Sequence, residues 1–125
     1  MTHTPRYLVV EDDALLLLDL VDNLADLGIA SVPMTRAPEA MHRLLVQSFD
    51  ALITDIELAG GTNGLELARS CGRLRPDLPI VVVSGGVRPR PGDLPPNAVF
   101  LPKPYQISDV MNAIRRQPVA HRHAA

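Results

Sequence analysis

Five short apolar runs alternate along this chain with segments of helical periodicity, and that alternation narrows the fold more than any other feature. Tyr7–Val10, Ile29–Val32, Asp50–Thr54, Pro79–Val83 and Val99–Leu101 read as strands, rich in Val, Ile and Leu and closed by polar or turn residues. Between them, Ala14–Leu27 carries leucines and a valine at helical spacing and stops at Gly28. Pro38–Gln47 presents Ala40, Met41, Leu44 and Leu45 as an inner face, and Asn63-Gly64 opens a helix to about Leu74. Ile107–Arg116 is a last amphipathic helix, with Ser108 or the residue before it expected as its cap. The strands are continuously apolar rather than alternating, as in parallel sheets buried on both faces. Strand–helix alternation then implies right-handed crossovers and an α/β fold, and 125 residues fit one domain.

One crossover departs from the pattern. Arg88–Pro96 holds four prolines and a glycine in nine residues. Each proline inside a helix costs about 3 kcal/mol, so this segment is expected to be a mobile loop with at most one helical turn, in place of a fourth helix.

Composition excludes several function classes. The net charge is −2 and no block of like charge exceeds the triplet Glu11-Asp12-Asp13, which argues against a nucleic-acid surface. No apolar stretch approaches the roughly 20 residues that span a bilayer, and the N-terminus lacks a signal-peptide apolar region. A membrane role is therefore not expected. The single cysteine, Cys71, has no internal disulfide partner; it reads as a small core residue in a cytoplasmic protein. The four histidines lack metal-ligand spacing.

In open α/β sheets, ligands bind beyond the carboxyl ends of the strands. Glu11 and Asp12 follow the first strand, Asp55 the third, Ser84 the fourth and Lys103 the fifth, so all four groups fall at one edge. Lys103 is the only lysine among twelve basic residues. A lysine is a compact point charge suited to a single anionic oxygen, unlike the planar fork of arginine. Several carboxylates at one edge repel, and a divalent cation relieves them; hard oxygen ligands with few protein groups suit Mg²⁺. Asp55 beside such an ion can act as a carboxylate nucleophile toward a phosphoryl group, with Lys103 and the Ser84 hydroxyl taking the other oxygens.

Val9-Val10-Glu11-Asp12, Asp55-Ile56-Glu57-Leu58 leading to Gly64-Leu65-Glu66-Leu67, Ser84-Gly85 and Lys103-Pro104 together resemble the receiver domain of two-component response regulators. The resemblance runs over about residues 6–116 and leaves 117–125 as a polar tail. It implies a doubly wound, flavodoxin-like parallel sheet of five strands in the order 2-1-3-4-5, with the fourth helix short or missing. It implies Asp55 as phosphoacceptor, Glu11 and Asp12 as the acid pair that organises Mg²⁺, and the Glu57 carbonyl as a backbone ligand. Ser84 becomes the switch hydroxyl, Lys103 the phosphoryl-contacting lysine, Phe100 the aromatic switch residue, and Lys103-Pro104 a cis bond. Asp13 reads instead as helix N-terminal stabilisation. The implied partners are a sensor histidine kinase or histidine phosphotransfer protein and a downstream protein target. The loop after Asp55 departs from the family, with Ala59 in place of a proline and Gly60-Gly61 adding a residue. That version, with the proline-rich crossover, is similar to receivers found alone or fused to hybrid kinases.

Gln117–Ala125 is too short and polar for an output module; a stand-alone receiver and an excised domain both fit. Two other functions compete. A receiver-like interaction module that is never phosphorylated would lack the acid pair, the acceptor or the lysine. A phosphohydrolase of the haloacid dehalogenase type wants an aspartate two residues after the nucleophile, where this chain has Glu57.

Overall fold

The computed structural model describes residues 3–59 and 63–116. The expected polar tail at 117–125 and the pair Gly60-Gly61 lie outside them. In chain order the elements are β1 (Arg6–Val10), α1 (Ala14–Asp26), β2 (Ala30–Met34), α2 (Ala37–Val46), β3 (Ala51–Asp55), α3 (Gly64–Leu74), β4 (Ile80–Ser84), β5 (Ala98–Pro102) and α4 (Ile107–Arg116). The strands form one parallel sheet in the order β2-β1-β3-β4-β5.

Successive residues of a strand point to opposite faces, and here each face meets its own helices. Leu8, Val10, Leu52, Ile80 and Val82 turn to one side, where Ala40 and Leu44 of α2 and Leu67, Ala68 and Cys71 of α3 cover them. Tyr7, Val9, Ile53, Val81 and Val83 turn to the other, onto Leu20 and Leu24 of α1 and Val110, Ala113 and Ile114 of α4. Every residue of β3 and β4 is buried, which explains why those strands read as continuous apolar runs. Burying each such Leu, Ile or Val contributes about 1.5–3 kcal/mol. Burial also pushes the Cys71 thiol up to about 12, which fits a packing role. Among the described residues no helix is long and apolar enough to cross a membrane.

β2 runs to Met34, past the expected end at Val32, and includes Pro33. It is an edge strand, so the missing proline N–H can face away from the ladder. Helix starts carry the chemistry their sequence offers. Asp13 caps α1, its Oδ1 accepting from the N–H of Leu15 at 3.0 Å and of Leu16 at 3.2 Å. Asn63 caps α3, accepting from Glu66 N–H at 3.0 Å. At α4 neither Ser108 nor Ile107 plays the expected part: Asp109 reaches back to accept from Gln106 N–H at 2.9 Å. An acid in the third helical position does this by reciprocal capping geometry.

Between β4 and β5 there is no helix, as the prolines require. The segment is nevertheless tied to α3 rather than free. Arg69 Nε donates to the Asp93 carbonyl at 3.0 Å, and Asn97 Nδ2 donates to the carbonyls of Arg75 at 3.0 Å and Leu78 at 2.6 Å. Gly72 of α3 makes room for the loop, since a Cβ there would lie 2.5 Å from Pro95 Cβ. The loop expected over 87–96 is what the structure shows, and residues 93–97 are anchored to residues about twenty positions earlier in sequence.

Candidate functional site

The parallel sheet brings the ends of β1, β3, β4 and β5 to one edge, and ladder bonds continue one residue past β1, β3 and β5. Glu11 N–H donates to the Met34 carbonyl at 3.0 Å, Ile56 N–H to Val83 at 2.9 Å and Lys103 N–H to Ser84 at 2.9 Å. The backbones of Glu11, Asp55 and Lys103 are thus fixed before their side chains act. The Lys103–Pro104 bond is cis.

Lys103 Nζ donates to Glu11 Oε1 at 2.7 Å and to Asp55 Oδ2 at 3.1 Å. The side chains of Glu11 and Asp55 are only 5% and 6% exposed, so this shared ammonium works largely out of water. The second oxygens look elsewhere: Glu11 Oε2 accepts from Asp13 N–H at 3.2 Å and Asp55 Oδ1 from Glu57 N–H at 3.4 Å. Asp12 is exposed. Glu11, Asp12 and Asp55 each offer an oxygen, and these oxygens lie within 4.8 Å of one another.

Charge is out of balance here, with three carboxylates against one ammonium. Burial, helped by the charge of Asp55, raises the Glu11 carboxyl above its ordinary value, although Lys103 and the Asp13 N–H pull it back. For Lys103, burial works against the charged form, but the bonds and charges of Glu11 and Asp55 outweigh it and raise the pKa. Burial also raises Tyr105, two residues further along the chain. The donor set therefore fits a small divalent cation: hard oxygens, excess negative charge, and one solvent-facing carboxylate that leaves space for water ligands.

Other residues singled out from the sequence have definite places. Ser84, buried, donates from Oγ to Glu57 Oε1 at 3.0 Å. Glu57 is exposed in the loop after β3. Phe100 is half-buried on β5, with the Arg88 guanidinium 6.0 Å from its ring centroid. Phe100 packs against the side of the sheet covered by α2 and α3, and its ring meets Arg88 of the proline-rich segment.

Sequence reasoning missed three contributors. Thr54 is fully buried and its Oγ1 donates to the Asp55 carbonyl at 3.0 Å. A groove of about 390 Å³ opens beside the site, between Leu16, Asp19 and Leu20 of α1 and Lys103, Pro104, Tyr105 and Ile107. Gly64, read as a helix opener and part of the receiver motif, sits against the site's backbone: a Cβ there would lie 1.8 Å from the Asp55 carbonyl oxygen. Its own N–H donates to the Ile56 carbonyl at 2.7 Å, so the helix start cannot simply retreat. Gly64→Ala is expected to cost about 1–3 kcal/mol through forced backbone movement, read as a lowered midpoint in urea with an unchanged slope.

The model of the response regulator receiver domain matches residues 7–92. The chain belongs to the response regulator receiver family. This receiver is 33% identical over 118 residues to the response regulator receiver protein CpdR of Brucella abortus, covering 92% of the chain and 98% of that protein. The crystal structure of a response regulator receiver protein from Sinorhizobium medicae superposes on it with a TM-score of 0.84 at 26% identity, over 92% of this receiver and 94% of the other. The response regulator protein TrrA of Thermotoga maritima, solved in complex with Mg²⁺–BeF, shares the fold with a TM-score of 0.78 at 20% identity, over 91% and 99% of the two chains.

Proposed function

We propose that this receiver takes a phosphoryl group onto Asp55 from the phosphohistidine of a cytoplasmic histidine kinase or histidine phosphotransfer protein, and passes the signal on through changed protein contacts. The observation that carries the reading is the Asp55 carboxylate, buried at the strand edge with one oxygen held by the single lysine. Its other oxygen receives only a long bond from Glu57 N–H, which leaves it available as the nucleophile. Asp55 Oδ1 forms the new P–O bond, the P–N bond to the donor histidine breaks, and its electron pair stays on the imidazole. Lys103 turns its ammonium from a carboxylate to a phosphoryl oxygen, and Ser84 supplies a hydroxyl to another. Glu11, Asp12, Asp55 and the Glu57 carbonyl would hold Mg²⁺, which supplies neutralising charge for the transferred group. The groove beside Lys103, with leucines and Tyr105 on its walls, gives a donor protein a surface next to Asp55.

Incubation with a phosphohistidine donor and Mg²⁺ tests this. The protein should gain a phosphate stable to acid and labile to base, and borohydride reduction should mark residue 55 in peptide mass spectra. A base-stable label, or a mark at another residue, defeats the reading.

Metal dependence is a separate expectation. Binding to the native state alone stabilises by mass action, about 2.7 kcal/mol at a hundred times Kd. Mg²⁺ should therefore raise the melting temperature of the parent and leave Asp12→Ala unmoved. Metal-free Asp12→Ala should melt no lower than the parent, because it removes one of three crowded carboxylates.

A further inference from the structure

Ser84 has one hydroxyl proton, and the structure shows where it goes. Ser84 Oγ donates to Glu57 Oε1 at 3.0 Å while accepting from Val87 N–H at 2.9 Å and Gly86 N–H at 3.3 Å. A hydroxyl carries a single donor, so the proton given to Glu57 is withheld from any oxygen on Asp55. The acceptor is a carboxylate, which makes the bond charge-assisted and stronger than a neutral one. Glu57 is itself exposed and stands two residues after Asp55, yet its carboxylate lies over the turn at 85–87. A Cβ on Gly86 would sit 3.5 Å from Glu57 Oε1, so the turn and the carboxylate are in close range. One side chain thus bridges the loop after β3 and the turn after β4.

We infer that Glu57 is a positioning residue that latches Ser84, and through it the 85–87 turn, in the unphosphorylated arrangement. The inference rests on the reading of Asp55 as phosphoacceptor. A phosphoryl group on Asp55 has to take the Ser84 proton away from the Glu57 carboxylate, and the latch sets how much of the phosphoryl's binding strength the switch consumes. Glu57 acts through Ser84 and not by touching the phosphoryl group.

Beryllium fluoride with Mg²⁺ serves as the phosphoryl mimic, titrated into the whole chain and followed by calorimetry. Glu57→Ala keeps the backbone carbonyl and frees the hydroxyl; it should bind the mimic about tenfold more tightly than the parent, the worth of one hydrogen bond to a charged acceptor. Glu57→Gln keeps an uncharged acceptor and should fall between the two. In a Ser84→Ala background there is no proton to release, and adding Glu57→Ala should change affinity less than twofold. In the unliganded protein, Glu57→Ala should shift the amide resonances of Gly86 and Val87 while leaving the melting temperature near that of the parent. An equal gain with and without Ser84 means that Glu57 acts by charge repulsion alone and overturns the latch, as does no gain at all. A parent that does not bind the mimic, or binds it as well after Asp55→Asn, removes the phosphoacceptor reading and the latch with it.

Discussion

Asp55→Asn should take up no phosphate from a phosphohistidine donor under conditions where the parent should label fully, and it should stay folded. The substitution is nearly isosteric but replaces a carboxylate nucleophile with an amide whose nitrogen and oxygen are both poor nucleophiles. Nothing else at the edge can take its place. Glu11 Oε1 is committed to Lys103 at 2.7 Å and Oε2 to the Asp13 N–H, while Asp12 is exposed and lacks a lysine to hold its carboxylate. The fold should survive because Lys103 keeps Glu11 as a partner and because the charge of Asp55, which helps raise the Glu11 carboxyl, is gone. Counting bound phosphate and recording a thermal melt on the same preparation checks both halves. Labelling at the parent's level would place the acceptor elsewhere.

How much of this was legible beforehand follows from the range of each interaction. Strand positions were readable because β3 and β4 are buried along their whole length, so burial is written into consecutive residues. The edge was readable for a geometric reason: in a parallel sheet every strand ends on the same side, so Glu11, Asp12, Asp55, Ser84 and Lys103 had to converge. Helix starts at Asp13 and Asn63 are local chemistry and were equally plain. The strand order was not in the periodicity; it came with the family resemblance. What escaped depends on neighbours remote in sequence. The tethering of the proline segment needs Arg69, Gly72 and Asn97 to meet, and no local pattern announces that. Pro33 lies just past the strand end read at Val32, yet at a sheet edge it costs no ladder bond. Glu57 was legible as a backbone carbonyl beside Asp55 and as a mark against a phosphohydrolase; its bond to Ser84, 27 residues away, was not.

Lys103→Ala should be the most damaging change at the site in the absence of metal. It removes the one cation between two carboxylates that are almost fully buried. Breaking a buried ion pair by deleting one partner costs about 3–5 kcal/mol. The lysine side chain is 19% exposed and Asp12 opens the site to water, which favours the lower end, about 3 kcal/mol, or about 10 °C in melting temperature. The pH dependence has a definite sign. The Glu11 carboxyl already sits above its ordinary 4.5, mainly through burial, and Lys103 is the largest influence pulling it back. Without Lys103 it rises further. A carboxyl raised in the native state lends its stability below the unfolded value and loses it as pH climbs through the native value. The deficit of the variant should therefore be greatest at neutral and mildly alkaline pH, shrink as pH falls toward 4.5, and shrink again as pH climbs through the raised pKa of Lys103, where the parent also loses its ammonium. Mg²⁺ should restore more stability to the variant than to the parent, because it replaces the missing charge. Lys103→Arg separates charge from geometry: it should melt near the parent and still respond to Mg²⁺, since the metal needs carboxylates. Its fork cannot reproduce a point donor aimed at one phosphoryl oxygen, so the amide shifts that phosphorylation induces in the parent should be largely lost. Thermal melts across pH with and without Mg²⁺, and amide spectra before and after phosphorylation, read out both variants. Should Lys103→Ala melt with the parent at neutral pH without metal, the ion pairs at 2.7 Å and 3.1 Å hold nothing together. Should Lys103→Arg also show the parent's phosphorylation shifts, any cation would serve at this position, and the single lysine of the chain would owe its place to nothing in the switch.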